Sequence, residues 1–244
     1  MIYEQTWTID SRDADLWGQC RPSALLGYLQ EAATGASAEI GADRRTMVED
    51  YRCFWMLARI WVELDRPLRW GESLTVRTWH RPPKGASIYR DFDLFCGEEQ
   101  VGQAVSTWAL ADVDSRKLAR MERVAGLLEG NRNEKGEKTI TLSRLRLPEE
   151  MTFAEERLAR YSETDLNGHV NNTRYADYAC DALHVEELEP GHFLHRIQIG
   201  FLAECRPGER LSLFCGEREG TRFVRGLGPE GGPRFEAALE WVKG

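Results

Sequence analysis

The stretch Thr164-Asp165-Leu166-Asn167-Gly168-His169-Val170-Asn171-Asn172-Thr173 holds the densest chemistry in the chain. It brings together an acid, several carboxamides and an imidazole, the side chain whose protonation changes nearest neutral pH. Asn167-Gly168 is a turn dipeptide, because both residues tolerate positive φ. Asn171, Asn172 and Thr173 are each suited to start a helix. Tyr175, Tyr178, Ala179 and Ala182 then recur at the spacing of one buried helical face. The segment ahead, from Phe153 to Tyr161, has the length of a strand. Asp165, Asn167 and His169 are therefore predicted on a strand-to-helix loop, beside amide N–H groups that favour a developing negative charge. Such a loop suits attack on a carbonyl. The same residue types also serve as ordinary helix caps and solvated loop residues, so the rest of the chain has to decide.

The 244 residues allow one large domain or two smaller ones, with 42% hydrophobic and 30% charged content, as in soluble globular proteins. A net charge of −8 argues against free nucleic acid or an anionic membrane as a general partner. Met1-Ile2-Tyr3-Glu4-Gln5 lacks the basic and apolar regions of a signal peptide, and no apolar run approaches a membrane span. A cytoplasmic location is expected. The six cysteines (Cys20, Cys53, Cys96, Cys180, Cys205, Cys215) include no C-x-x-C pair, and His192 and His195 have no third ligand near them. No metal and no cofactor are expected, nor disulfides in a reducing compartment.

The elements that would position the loop occur twice. An offset of 150 places Asp165 on Asp15, Leu166 on Leu16, Gly168 on Gly18, Tyr178 on Tyr28 and Ala182 on Ala32. Further on, Trp70-Gly71-Glu72-Ser73-Leu74-Thr75-Val76 is similar to Pro207-Gly208-Glu209-Arg210-Leu211-Ser212-Leu213 at an offset of 137. The difference of 13 residues predicts an insertion in the first half, within Ser37 to Arg52. Each half reads as a strand, a helix and then several strands. Predicted strands are Tyr3–Ile9, Trp55–Leu64, Ser73–His80, Ile88–Cys96 and Gln103–Asp114, then His192–Ala203, Arg210–Cys215, Arg222–Leu227 and Phe235–Val242. Pro22 suits the first turn of the first helix. The domain reading is 1–115, a linker at 116–150, and 151–244; the linker would hold a helix from Arg120 to Leu128 and a turn at Gly130-Asn131-Arg132-Asn133. The fold class is α+β. A helix followed by an antiparallel meander is buried only if the sheet curls round it, and two such sheets joined side by side would cover an edge of each.

With this double layout, Asp165-x-Asn167-x-His169-Val170-Asn171-Asn172 resembles the acyl-acyl carrier protein thioesterases of plants and bacteria. Four strings in the first half strengthen the resemblance: Trp55-x-Leu57-x-Arg59, Arg66-Pro67-x-x-Trp70-Gly71-Glu72 with Thr78-Trp79, Tyr89-Arg90-Asp91-Phe92, and Trp108 followed by Ser115-Arg116-Lys117-Leu118. It covers the chain from about Glu4 to Trp241. It implies a tandem hot-dog fold, each half a long helix wrapped by an antiparallel sheet, and hydrolysis of fatty acyl-carrier thioesters that ends fatty-acid synthesis. It also implies site residues Asp165, Asn167, His169 and, from the family's Glu-Cys pair, Glu204 and Cys205. The alternative is a small core residue for Cys205 and a surface residue at a strand end for Glu204, but an adjacent pair where the family has one favours catalytic participation.

Two mechanisms fit these residues. Cys205 could attack, with His169 as base and Asn167 holding the imidazole. Alternatively a carboxylate, Asp165 or Glu204, attacks or activates water while His169, Asn167 and Cys205 position and polarise. The carboxylate is favoured, since a thiolate attacking a thioester only exchanges one thioester for another. The first half has Trp17 and Gln19 where the second has Asn167 and His169, so one site per chain is expected. The first half would bind the acyl chain, with Trp17, Trp55 and Trp61 as candidate contacts and Trp55, Leu57, Arg59 and Trp61 on one strand face. The partner implied is an acidic acyl carrier protein, met by Arg77, His80, Arg81 and Lys84 or by Arg116, Lys117, Arg120 and Arg123. A homodimer is left open. The rival readings are an acyl-coenzyme A thioesterase and a non-catalytic acyl-binding hot-dog module.

Overall fold

Pro22 fixes the start of the first long element, because its missing N–H is not needed in a first helical turn. The helix α1 (Pro22–Glu39) buries Leu25, Leu26, Tyr28, Leu29, Ala32, Ala33 and Ala36 along one side. The computed structural model describes residues 2–129 and 138–244, and wraps this helix in strands β1 (Tyr3–Thr8), β2 (Cys53–Leu64), β3 (Ser73–His80), β4 (Ser87–Cys96) and β5 (Glu99–Asp112). A short helix, α2 (Arg44–Glu49), capped by Asp43, lies within the predicted insertion. A 3₁₀ turn (Met121–Val124) running into α3 (Ala125–Leu128) stands where the linker helix was expected. The turn expected at Gly130-Asn131-Arg132-Asn133 lies outside the described residues.

The second half repeats the plan with β6 (Thr152–Leu158), α4 (Arg174–Ala182), β7 (His192–Phe201), β8 (Arg210–Arg218), β9 (Thr221–Leu227) and β10 (Pro233–Lys243). Tyr175, Tyr178, Ala179 and Ala182 are all buried, as their spacing requires. The strands form one antiparallel ten-stranded sheet in the order β1-β3-β4-β5-β2-β7-β10-β9-β8-β6. This is a tandem hot-dog. Its seam is β2 against β7, from Arg59 opposite Gly200 to Glu63 opposite Arg196. Arg196 Nε donates to Glu63 Oε2 across the seam at 2.5 Å, and His195 Nδ1 lies 2.8 Å from the Leu64 carbonyl. No described helix is long and apolar enough to cross a membrane.

Backbone hydrogen bonds reproduce the duplication. Asp15 N donates to Gln19 O as Asp165 N does to His169 O; Cys20 N donates to Leu68 O as Val170 N does to Cys205 O. Ile9 N reaches Glu72 O as Ala159 N reaches Glu209 O. Gly18 and Gly168 take φ of 72° and 76° at equivalent places in the two turns, a conformation that favours glycine.

One expectation fails at β2. The register slips between Leu57 and Arg59, a β-bulge that reverses which alternate residues face inward. Trp55 and Leu57 face the interior, but beyond the bulge Ile60, Val62 and Leu64 are the buried residues. Trp61 sits opposite Gln198, whose side chain donates to Ser143 O on the outer surface. Trp61 and Arg59 therefore leave the face that Trp55 occupies, and neither lines the main cavity.

The chain between the halves is strapped across the outside of the sheet. Arg81 and Asp91, with side chains 7% and 0% exposed, pair through Nη2–Oδ1 at 2.7 Å and Nε–Oδ2 at 3.0 Å. Arg81 Nη1 also donates to Ile140 O at 2.9 Å, and Lys138 Nζ donates to Asp93 Oδ1 at 2.6 Å. Further along, Arg144 approaches Glu236 at 3.4 Å and Arg218 Nη2 donates to Arg146 O at 2.7 Å. The strap thus spans the seam. Arg81 is committed here, so it leaves the basic patch proposed from sequence.

Asp91→Ala is expected to destabilise the protein by about 3–5 kcal/mol, because it leaves the Arg81 guanidinium buried without its acid. Arg77→Ala, which breaks the exposed pair with Glu4 and the contact with the Phe95 ring, should cost about 1–2 kcal/mol. Denaturant midpoints for the two variants check this; equal midpoints would remove the strap's buried pair as a major support.

Candidate active site

The loop between β6 and α4 owes its shape to Asp165. Its Oδ1 accepts from Asn167 N at 2.8 Å, and its backbone closes the turn through Gly168 N to Asp165 O at 3.0 Å. Asp15 does the same for the first half, accepting from Trp17 N at 2.9 Å and Gln19 N at 2.8 Å. A carboxylate found in the same role where the other site residues are missing is a turn-former. Thr164 pairs with Val170 across the turn, which holds His169 in place two residues after Asn167.

His169 meets Glu204. The imidazole Nε2 lies 3.0 Å from Glu204 Oε2, with the ring 12% exposed and the carboxylate 49%. Arg116 comes within 4.0 Å of the other carboxylate oxygen and rests over the Phe54 ring. A carboxylate can only accept, so Nε2 carries the proton and, in the neutral ring, Nδ1 keeps a free lone pair. The pair is arranged as a base with its orienting acid. Asn167 is exposed, with its carboxamide 3.4 Å from both Asp165 Oδ2 and Arg44 Nη2, and it lines a cavity of about 200 Å³.

Cys205 stands apart. It is 0% exposed, and burial pushes its thiol up to about 12. Besides burial, the charges that act on it are those of Glu209, Arg234 and Glu163. Its place in the repeat is taken in the first half by Leu68, itself 1% exposed. What Cys205 gives the loop is its carbonyl, which accepts from Val170 N at 2.8 Å. Adjacency to Glu204 in sequence misleads because the two side chains leave the backbone on opposite sides, one outward to His169 and one into the core.

The amides expected to be free at the start of α4 are largely engaged. Asn171 N donates to Glu163 O, Thr173 N to Asn171 Oδ1 and Arg174 N to Asn171 O. Thr173, the residue before the helix, makes no side-chain cap bond; Asn171 forms the turn instead. Among the described residues no group of three or more His, Cys, Asp or Glu could hold a metal ion.

The cavity runs between α1, α2 and the sheet, lined by Ala33, Ile40, Met47, Trp55, Ile88, Trp108 and Leu128. Trp55 thus lines the main cavity. Trp17 does not: it lines a separate space of about 50 Å³ with Gln19, Pro67, His192 and Trp241, the first half's counterpart of the site. Gln19 there is tied down, its Nε2 donating to His192 O at 2.9 Å. His80 lines the main cavity and not the docking surface assigned to it from sequence. Sequence reasoning missed Arg44 and Arg90 as cavity residues. Alternation in β4 could have found Arg90, which shares parity with Ile88, Phe92 and Leu94.

Cys205 is expected to resist iodoacetamide near neutral pH, because a buried thiol titrating near 12 is neither accessible nor a thiolate there. Peptide mapping after alkylation checks it. Stoichiometric labelling of Cys205 in the folded protein would restore the nucleophilic-cysteine assignment.

Comparisons with known proteins bear on the whole chain. Residues 1–124 match the family described as acyl-ACP thioesterase N-terminal domain, and residues 148–226 its C-terminal domain. A chloroplastic oleoyl-acyl carrier protein thioesterase of Coriandrum sativum is 24% identical over 229 residues, covering 84% of this chain and 60% of its own. A chloroplastic palmitoyl-acyl carrier protein thioesterase of Gossypium hirsutum is 24% identical over 219 residues, 84% of this chain and 52% of its own. The chain spans between half and two thirds of such relatives' length. An acyl-ACP thioesterase structure from Bacteroides thetaiotaomicron superposes with a TM-score of 0.85 at 23% identity, covering 99% of this chain and 98% of that one. The 12:0-ACP thioesterase of Umbellularia californica gives 0.79 at 17% identity, covering 100% and 98%. At these identities the superpositions establish the shared fold.

Proposed function

The chain belongs to the acyl-ACP thioesterase family, and from that premise we propose that it hydrolyses the thioester between a fatty acyl chain and acyl carrier protein, releasing free fatty acid. The observation that carries this reading is the His169–Glu204 pair, present in one half only, on the loop whose Asn167 lines the cavity. We read residues 151–244 as the catalytic half, 1–115 as the half that receives the acyl chain, and 116–150 as the connection.

Glu204 holds the Nε2–H of His169, and the free Nδ1 takes a proton from water as its oxygen attacks the thioester carbonyl. The tetrahedral oxyanion is met by the Asn167 carboxamide N–H, which costs little reorganisation because the Asp165 turn already fixes it. Collapse breaks the C–S bond, and the imidazolium returns the proton to the leaving thiolate. The nucleophile is water rather than Cys205, whose buried thiol cannot reach a substrate. Oxygen from water ends in the carboxylic acid, and no covalent acyl-enzyme forms.

The exposed cations of this rim suit an acidic carrier. Arg116, at 62% exposure, stands 4.0 Å from Glu204, and Arg44 bonds to Asn167, so exposed cations flank the mouth of a chain whose net charge is −8. Lys117 and Arg120 are exposed on the same segment as Arg116. An acidic carrier would be drawn to that local patch against the protein's overall charge.

Glu204→Gln and His169→Ala are each expected to lower kcat for thiol release from a long acyl-carrier thioester by about 10²–10⁴ with the fold intact. Turnover near the parent level in either would remove the pair from the mechanism. For one acyl group, kcat/KM should be at least about tenfold higher on the carrier than on coenzyme A, and Arg116→Ala should raise KM for the carrier form alone. Equal use of both forms would hand the function to the coenzyme A reading.

A further inference from the structure

The loops that frame the catalytic pair expose apolar side chains as well as charge. Three of them meet there: the turn from Asp165 to His169, the segment that carries Glu204, and the turn after β5 that carries Arg116. Each holds an exposed leucine within two residues of a group at the site. Leu166, next to Asn167, is 93% exposed; Leu118, two residues from Arg116, is 63% exposed; Leu202, two residues from Glu204, is exposed as well. Leu118 bridges to Ala111 at the end of β5, and Ala111 pairs with Phe54 of the cavity wall. Exposed apolar side chains gathered inside a polar rim mark surfaces that bind other proteins.

The rim is cationic. Arg116, Lys117, Arg120 and Arg206 are exposed on these loops, and among the described residues Lys117, Arg120 and Arg206 stand in no ion pair. Nearby acids are committed: Glu204 to His169, Asp112 to Arg123 at 2.7 Å and Asp114 to Arg52 at 2.6 Å. Against the cations stands Glu122, exposed on the segment of Arg120. The turn that presents Arg116 is also strained. Arg116 has a φ of 57°, a conformation that disfavours a residue with a Cβ. Asp112 maintains it, its Oδ1 accepting from Ser115 N at 2.9 Å and Ser115 Oγ at 2.8 Å, while Arg116 N donates to Asp112 O at 3.0 Å. A turn fixed in advance loses less freedom when a partner docks on it. Leu16, at the same place in the first half's turn, is 68% exposed too, so the turn itself tolerates an exposed leucine. What the second half adds is the meeting of three loops, the cations and the catalytic pair among them.

We propose that Leu118 and Leu166 are the apolar anchors on which the acidic acyl carrier docks, with Arg116, Lys117 and Arg120 meeting its carboxylates. The proposal rests on the thioesterase reading and names the surface that holds that reaction's partner. An acidic protein with an apolar patch among its carboxylates fits both properties of this surface. The cations draw it in, and burial of the leucines retains it. A second copy of this chain fits worse. A two-fold interface would set the cations of one mouth against the same cations of the other, between two chains that each carry a net charge of −8. Docking here also sets the thioester beside His169, which a patch elsewhere on the molecule would not do.

The test compares one acyl group on two handles, the carrier and N-acetylcysteamine, in the parent protein, in Leu118→Ser combined with Leu166→Ser, and in Leu16→Ser. Serine removes apolar surface without adding charge, and all three leucines are exposed, so the fold should survive. The double variant should raise KM for the carrier form by at least about tenfold, while kcat/KM for the N-acetylcysteamine form stays within about twofold of the parent. Leu16→Ser should change neither. The loss should persist at high salt, where screening weakens the cations' share and leaves the apolar share. An unchanged carrier KM in the double variant, an equal loss on both handles, or an equal rise from Leu16→Ser overturns the proposal. So does sedimentation in which the double variant splits a dimer into monomers while the carrier KM holds. If the parent cleaves neither handle, the hydrolase reading falls, and calorimetry with the acyl-free carrier decides the surface by itself. Binding at least about tenfold weaker in the double variant supports the surface, and equal binding overturns it.

Discussion

The antiparallel pairing of β2 with β7 is the constraint on which the rest of the molecule depends. Each half alone is a helix wrapped by strands with an unpaired edge, and unpaired edges invite uncontrolled association. Pairing Arg59 through Glu63 with Gly200 through Arg196 removes one edge from each half at once and makes a single sheet. The strap running outside the sheet, anchored by Arg81 and Asp91 on one side and by Glu236 on the other, bridges the same seam. Because α1 and α4 pack against the inner face of that one sheet and touch each other, the seam also sets the helices' relative position. The remaining edges, β1 and β6, carry alternating or clustered charged and polar residues such as Glu4, Thr6, Glu155 and Arg157, which discourage further pairing.

Within that frame one backbone design is used twice for two purposes. The same turn, the same glycine conformation and the same inter-loop amide bond occur in both halves. Only the side chains differ: Asn167, His169 and Glu204 in one half correspond to Trp17, Gln19 and Pro67 in the other. The first-half residues fill a small space and tie Gln19 to the His192 carbonyl, whereas in the second half the His169 ring meets the Glu204 carboxylate. Geometry that is common to both halves supports the fold, and chemistry that is found in one half marks the site. That distinction assigns Asp165 to the turn and Cys205 to the core, since Asp15 and Leu68 hold the matching places.

The cavity departs from the same economy. An apolar channel filled by hydrocarbon would be expected to keep charges out, yet Arg90 enters it while its neighbour Asp91 is paired on the other side. Alternation along β4 forces this split, since consecutive residues must face opposite ways. The strap therefore takes the acid and the cavity receives the base, so the fold's outer support and the cavity's polarity are linked through two adjacent residues.

The sequence by itself determined the elements and their order. Strand alternation, Pro22, the turn glycines and the offsets of 150 and 137 are local or periodic signals, and each strand and helix read from them stands in the structure with small shifts at its ends. Asn167 and His169 were legible as a chemical pair because their spacing lies within a single turn. The tertiary structure alone decided the rest. Whether a residue faces the cavity depends on parity, and one bulge after Leu57 reversed it for Arg59 and Trp61. Which carboxylate serves His169 depends on a contact between loops 35 residues apart in sequence, His169 to Glu204, that no spacing rule encodes. Cys205 and Arg81 looked reactive and cationic in one dimension; burial of the thiol and an ion pair for the guanidinium, both products of packing across the sheet, gave them to the scaffold.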